Sequence, residues 1–493
     1  MVDSNPTLRV VDLVKHSSVY GIGALVLASS GFLLIPLYTR VLSTLEFGSL
    51  EILNRIADIM LLFMFLGMRQ AYIRIYFENT ENDWRCTVTS TFLWFSLISC
   101  LVIVLGLYPW AGEAVSIFYE LPELKDSFSL LLLLAPLSMF AKIVMTYLQV
   151  RTWSAAYVWS SITQTMFFLG FSVYFLAWLD LGVQGALLAA VISSGLIATA
   201  GTIYIFHEAG YKFSVQIFVE MLRFGLPYLP TAFFAYVILN SDRYFLSSHA
   251  SLDSVGIYAL SYKIAMIGVF ILVEPFLKIW SPFLYQVIKQ KNGKVVIANV
   301  FRYFVICTVG IATLISVLAE SVISVLSDRA YHAAIHFVPI LAFASVFWAA
   351  QHLADAGILI AKKTSFKPLI FGMAAFTAVT LNWALVPKFG IMGASFATFL
   401  TYVVLFLATL KISNYYYFLP LEYAKLSLTI FAGVCTFGIA NIATGESSGI
   451  LNVTISLFCF LVYPILIWFG GALTKSEINK ATNIFLRKIG KSD

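Results

Sequence analysis

The sequence predicts an all-α, polytopic membrane protein of about 14 transmembrane helices, two lobes of six with two further helices C-terminal to them. Three observations carry this. Hydrophobic residues make up 60% of the 493 and charged residues only 11%, where a soluble domain carries about 25% charged. Apolar runs of about 20 residues recur from end to end, the length that crosses the hydrocarbon core of a bilayer. Lys and Arg gather in every second loop, as they do on the cytoplasmic side of membrane proteins.

The runs, taken in order, are 18–39, 48–68, 88–108, 128–150, 155–178, 181–206, 223–246, 257–284, 299–326, 334–360, 366–386, 391–413, 423–443 and 449–472. They are continuously apolar, whereas strands of a membrane barrel alternate over about ten residues, so they read as helices. On one side the loops carry Arg9 and Lys15, then Arg69, Arg74 and Arg85, Arg151, Lys212 and Arg223, and Lys289, Lys291, Lys294 and Arg302. The same side continues with Lys362, Lys363 and Lys367, Lys411 and Lys425, and the tail lysines and Arg487. Of the 31 basic residues, 22 fall there and 5 on the other side, namely Arg40, Lys125, Arg243, Arg329 and Lys388. Both termini are therefore expected in the cytoplasm, and the loops leave no room for a soluble catalytic domain.

Residues 475–489 place Ile478, Ala481, Ile484, Phe485 and Ile489 near one helical face with lysines elsewhere, the pattern of an interfacial helix on an anionic leaflet. The aromatic cluster at 415–420 fits an interfacial belt. The five cysteines, Cys86, Cys100, Cys307, Cys435 and Cys459, share no metal-ligand spacing and read as packing residues. Residues 1–16 are too polar for the apolar region of a signal peptide, so the first run is expected to be retained.

An internal repeat divides the chain. LGVQGALLAA from Leu181 resembles FGIMGASFAT from Phe389, with Gly182, Gly185 and Ala186 matching Gly390, Gly393 and Ala394 at an offset of 208. Phe47-Gly48 corresponds to Val255-Gly256 at the same offset, and Arg151-Thr152 to Lys363-Thr364 at 212. Each copy holds an even number of helices, so both enter the membrane from one side and are related by an axis along its normal, as in two-lobed transporters. The expected divisions are 1–210, 211–415, a helix pair over 416–474 and a basic tail over 475–493.

Four basic residues, Arg55, Lys142, Lys263 and Lys278, lie inside the apolar runs, against the acidic Glu51, Asp58, Glu274 and Asp355. A charge at the bilayer centre costs about 2.5–3.5 kcal/mol on insertion scales, so such residues persist where a cavity or partner receives them. Glu51, Arg55 and Asp58 follow i, i+4, i+7 on one face, and Ser138, Lys142, Thr146 and Gln149 share another. In the eighth run, Lys263 and Glu274 are eleven residues apart, close to three turns of one helix, with Lys278 a turn beyond. Glu51 with Arg55 and Glu274 with Lys278 also fit simple intrahelical pairs. The loop charges put Asp242 and Arg243 at the outer surface. Cations at membrane depth suit an anionic ligand, a phosphate above all. Asp58, Glu274 and Asp355 are the carboxylates at which H+ or Na+ coupling would act.

No enzyme motif is present: H-E-x-x-H, G-x-S-x-G, a Walker glycine loop and C-x-x-C are all missing, and the six histidines are scattered. No cofactor, no metal and no nucleic-acid partner is expected.

Pro36 to Leu53, PLYTRVLSTLEFGSLEIL, resembles the first-loop signature of the polysaccharide transporters, the oligosaccharide flippases of the multidrug/oligosaccharidyl-lipid/polysaccharide exporter superfamily. Asn240 to Ile264 resembles the corresponding signature of the second lobe. The resemblance runs over about the first 415 residues. It implies a two-lobed exporter fold whose V-shaped cavity alternates sides. The implied substrate is an undecaprenyl-diphosphate-linked oligosaccharide, turned from the cytoplasmic to the periplasmic leaflet of a bacterial inner membrane. It also implies that basic residues of the cavity helices receive the diphosphate, for which Arg55, Lys142 and Lys263 are candidates by position and not by a matched motif, with Lys278 a further substrate-binding candidate from its place in the eighth run. Helices 13 and 14 are expected to shelter the lipid tail, and membrane lipids and the polysaccharide polymerase machinery to be partners. A cation-coupled multidrug antiporter of the same fold would need a more acidic cavity; a membrane-embedded glycan polymerase or ligase would need a large outer loop.

Overall fold

The computed structural model describes residues 23, 26–27, 30–110, 124–445 and 449–472. Helices account for nearly all of them, and among the described residues there is no strand. They begin with α1 (Ile35–Val41), α2 (Thr44–Phe65), α3 (Met68–Tyr76), α4 (Asn82–Leu107), α5 (Leu124–Val150), α6 (Ser154–Val173), α7 (Gly182–Ala209), α8 (Val215–Gly225) and α9 (Leu229–His249). There follow α10 (Leu252–Ala265), α11 (Glu274–Val287), α12 (Gly293–Leu326), α13 (Val338–Ala354), α14 (Ala356–Ile360), α15 (Lys367–Tyr416), α16 (Tyr423–Thr444), α17 (Gly449–Phe460) and α18 (Val462–Phe469).

Ten stretches among the described residues are long and apolar enough to cross a membrane. They account for eleven of the predicted runs, because α15 carries two of them, separated where Gly390 leaves the helical region at φ 53°. The second run lies largely within α2, which holds Glu46, Glu51, Arg55 and Asp58, and the first is described only in part. Large apolar side chains stand exposed on the helices, Trp178 at 81% and Ile450 at 87% among them. In water such a surface would aggregate; in a bilayer it meets lipid tails of the same polarity.

The eighth run departs from expectation. It breaks into α10 and α11 around a π-helical turn at Val269–Val273, and α11 restarts with Pro275 in its first turn. Pro275 has no N–H to give the preceding turn. The wider turn shifts the phase of the helix, so Lys263 and Glu274 are not three α-turns apart on one continuous face.

The chain forms two compact units. One holds the described residues up to Leu260 with Leu326–Tyr331 and Ser365–Ala397; the other holds Ser261–Val325, His332–Thr364 and the described residues from Thr398 on. In the second unit, α16–α18 dock on α12. Tyr463 donates to the Ile306 carbonyl at 2.7 Å, Asn452 donates to Glu320 at 3.0 Å, and Gly433 leaves room for Thr313.

The sequence repeat has a physical counterpart in the first unit. Gly48 and Gly256, 208 residues apart, bring the first turns of α2 and α10 into backbone contact. A Cβ on Gly48 would sit 1.9 Å from the Leu252 carbonyl oxygen, and one on Gly256 would sit 2.1 Å from the Thr44 carbonyl oxygen. Thr44 and Leu252 are themselves 208 apart, so the contact is reciprocal, as a local two-fold axis requires. Thr44 Oγ1 also donates to Asp253 Oδ1 at 2.5 Å. The other glycine match holds too: Gly182 and Gly390 both adopt φ 53°, a conformation that costs a side-chain-bearing residue about 1 kcal/mol or more.

Candidate functional site

Helix α2 starts with a capping box: Ser43 Oγ accepts from the Glu46 N–H, and the Ser43 N–H donates to Glu46 Oε2 at 2.8 Å. From that fixed start the i, i+4, i+7 spacing puts Glu51, Arg55 and Asp58 on one stripe. Helix α5 runs alongside and presents Ser138 and Lys142, α6 presents Gln164, and α7 presents Ser193 and Ser194. These elements enclose a cavity of about 320 Å³ within the first unit, lined by Arg55, Asp58, Ser138, Lys142, Gln164 and Ser193 among others.

Arg55 is the hub. Its guanidinium pairs with Asp58 at 2.9 Å, lies 3.9 Å from Glu51, and donates to Asn240 Oδ1 at 3.3 Å. Its closest carboxylate is thus Asp58, one turn inward, rather than the Glu51 of the simple intrahelical pair. Tyr236 donates to the Arg55 carbonyl at 2.8 Å and shares a hydrogen bond with Tyr244 at 2.6 Å. Tyr236, Asn240 and Tyr244 form an i, i+4, i+8 stripe on α9, a polar periodicity inside an apolar run that sequence reading passed over. The Arg55 side chain remains 26% exposed and that of Asp58 41%, both toward the cavity.

Lys142 is different. It lines the cavity with an exposed side chain, and among the described residues its ammonium makes no ion pair and no hydrogen bond. The charged groups that act on it are Asp58, Arg69 and Arg55. The cavity wall therefore carries two cations against one carboxylate.

Beside it lies a second ionic group, which corrects the expected surface position of Asp242 and Arg243. They are 2% and 3% exposed, inside α9. Arg243 contacts Asp242 at 3.2 Å and Glu51 at 4.0 Å, donates to the Leu239 carbonyl at 3.1 Å, and lies over the Tyr258 ring. Tyr258 donates in turn to Asp242. Each charge meets several partners, which is the condition under which a buried ion group is tolerated.

The other expected site residues lie elsewhere. Lys263 is half-buried near the end of α10, in the second unit, and is not a lining residue of the cavity. Asp355 is 7% exposed at the junction of α13 and α14, also in the second unit. Glu274 and Lys278 belong to α11, but their side chains lie outside the described residues. Among the described residues no group of His, Cys, Asp and Glu is placed to hold a metal ion.

A family model described as "Polysaccharide biosynthesis protein" matches residues 13–288, more than half of the 493. The chain belongs to that family. Within the polysaccharide biosynthesis family it is similar to the Lsg locus putative protein 1 of Haemophilus influenzae, 22% identical over 285 residues that cover 56% of this chain and 67% of that protein. It is also similar to the succinoglycan biosynthesis transport protein ExoT of Rhizobium meliloti, 25% identical over 53% of this chain and about half, 51%, of that protein. Among solved structures, the lipid II flippase MurJ in an inward closed conformation matches with a TM-score of 0.70 over 92% of this chain and 97% of its own, at 13% identity. An inward-facing multidrug resistance transporter of the MATE family matches with a TM-score of 0.62 over 81% and 94%, also at 13% identity. At that identity the likeness fixes the fold alone. This member of the polysaccharide biosynthesis family is thus a multi-pass membrane protein with the two-lobed fold of flippases and exporters and two further C-terminal helices.

Proposed function

We propose that the chain is a flippase for undecaprenyl-diphosphate-linked oligosaccharide, carrying it from the cytoplasmic to the periplasmic leaflet of a bacterial inner membrane for surface polysaccharide synthesis. The observation that carries the reading is Lys142: an ammonium on a membrane helix, facing a cavity of about 320 Å³ beside Arg55, with no protein carboxylate paired to it among the described residues. A lone cation at that depth is costly, and a bound phosphate repays the cost. The serines and Gln164 offer hydroxyl and amide groups to the first sugar. The prenyl tail stays in lipid, sheltered by α16–α18.

On this reading Lys263 and Lys278 receive the diphosphate when the second lobe takes its turn, and the repeat puts Lys263 near the counterpart of Asp58. Asp58, Glu274 and Asp355 carry the coupling to H+ or Na+, both termini are cytoplasmic, and the polysaccharide polymerase receives the product.

Deleting the gene tests the reading. Undecaprenyl-diphosphate oligosaccharide should accumulate on the inner leaflet and disappear again when the wild-type gene returns. Unchanged lipid-linked oligosaccharide in the deletion strain would sink it.

A further inference from the structure

Helix α2 ends because Leu66 and Gly67 take φ 46° and 75°, and α3 restarts in a new direction. The turn is pinned from outside. A Cβ on Gly67 would lie 2.2 Å from the Gly225 carbonyl oxygen, and one on Gly225 would lie 2.9 Å from the Gly67 carbonyl carbon, so the two glycines let α8 hold the turn by backbone contact. This aims Arg69, the second residue of α3, at α5.

There the Arg69 Nε–H donates to Thr146 Oγ1 at 2.8 Å. The Thr146 hydroxyl spends its own proton on the Lys142 carbonyl at 2.8 Å, so it is an oriented acceptor one turn from Lys142. Among the described residues no carboxylate pairs with Arg69, and its two terminal amino groups make no hydrogen bond to protein. An arginine held by Nε with both Nη groups uncommitted is preorganised for two parallel bonds to a phosphate. Arg69 and Arg55 both act on Lys142, as does Asp58, and Arg55 has Asp58 at 2.9 Å and Glu51 at 3.9 Å. Three cations thus face two carboxylates, one of which, Glu51, is shared with Arg243.

We infer that Arg69 is a further anion-binding residue of this site: its fork takes a second phosphate of the ligand whose first phosphate lies between Lys142 and Arg55. The inference rests on the proposed flippase reading. It adds that the site selects a diphosphate over a monophosphate. The other source of a phosphate at this place is an ordinary phospholipid headgroup, and the test separates the two.

Full-length protein in nanodiscs of neutral phosphatidylcholine is titrated with undecaprenyl diphosphate, undecaprenyl monophosphate and, separately, phosphatidylglycerol. The wild type should prefer the diphosphate to both. Arg69→Gln should weaken diphosphate binding by about tenfold or more, the loss of a charge-assisted bidentate contact, and leave the monophosphate nearly unchanged. Arg69→Lys, which keeps the charge and loses the fork, should fall between. Thr146→Val should cost a smaller factor alone and nothing further on top of Arg69→Gln. If Arg69→Gln fails to fold, the lysine and valine variants carry the same comparison. Diphosphate binding unchanged in Arg69→Gln but lost in Lys142→Gln would overturn the role of Arg69 and leave the flippase reading standing. Phosphatidylglycerol competing equally with the diphosphate would assign Arg69 to lipid headgroups and overturn the inference. Absence of diphosphate binding by the wild type would remove the flippase reading itself.

Discussion

Lys142→Gln separates a binding cation from a structural one, because the two roles predict opposite signs for stability. At an effective dielectric constant of 20, two unit charges 4 Å apart interact by about 4 kcal/mol, and hydrogen bonds to charged groups contribute about 1.5–3 kcal/mol net. Removing the ammonium takes the charge of the cavity wall from two cations against Asp58 to one, and the loss of phosphate affinity should be about ten- to a hundredfold at 1.4 kcal/mol per factor of ten. The substitution strands no carboxylate, since none pairs with Lys142 among the described residues. It also removes a charge that costs about 2.5–3.5 kcal/mol to place in a membrane. The thermal midpoint in detergent should therefore stay level or rise while diphosphate binding and export fall. Binding by a direct titration and unfolding by a thermal shift of the same sample give both signs at once. Wild-type affinity, or a midpoint lowered by several degrees, would refute the assignment.

Other perturbations have expected outcomes of their own. Gly48→Ala or Gly256→Ala forces a Cβ from about 2 Å out to contact distance with a carbonyl oxygen; each should cost about 1–3 kcal/mol, and the double variant less than their sum because the contact is shared, as thermal unfolding of the three would show. Arg243→Met takes from buried Asp242 its arginine and leaves Glu51 with Arg55 at 3.9 Å, and should cost about 3–5 kcal/mol or abolish expression, with partial recovery on adding Glu51→Gln. Outside the membrane, the hydrogen bond from Lys425, followed by that from Arg302, holds the Glu422 carboxyl below the usual carboxylate range. A depressed value in the folded state means stability that is present above the unfolded value of about 4.3 and is lost as pH falls through the folded one. The Glu422 side chain is 47% exposed, so the contribution should be under about 1 kcal/mol. Glu422→Gln should lower the thermal midpoint slightly at pH 7 and flatten its acid limb, so that variant and wild type converge at low pH; an unchanged acid limb would count against the pairing.

Several features of this protein could be read from residue order alone, because each rests on a local or additive property. Transfer free energy adds residue by residue, so fourteen apolar runs stood out. The repeat was legible because glycines mark where no side chain fits, and Gly182 with Gly390, and Gly48 with Gly256, turn out to sit in matched backbone settings. Helical spacing was enough to put Arg55 with Asp58 on one stripe, and the cost of a buried charge was enough to single out Lys142.

Tertiary structure decided which of those charges meet and which carboxylate each cation takes. Arg55 has carboxylates on both sides in sequence, and its choice of Asp58 depends on the cavity opening beside α2 and on Asn240 arriving from 185 residues away. Asp242 and Arg243 lie at the end of a run, where burial and exposure read alike until Glu51 and Tyr258 close over them. The break at Val269–Val273 depends on hydrogen-bond phase, which hydrophobicity does not encode. Arg69 looked like one more loop cation; only the backbone contact of Gly67 with Gly225 turns it onto Thr146 and the seam it shares with Lys142.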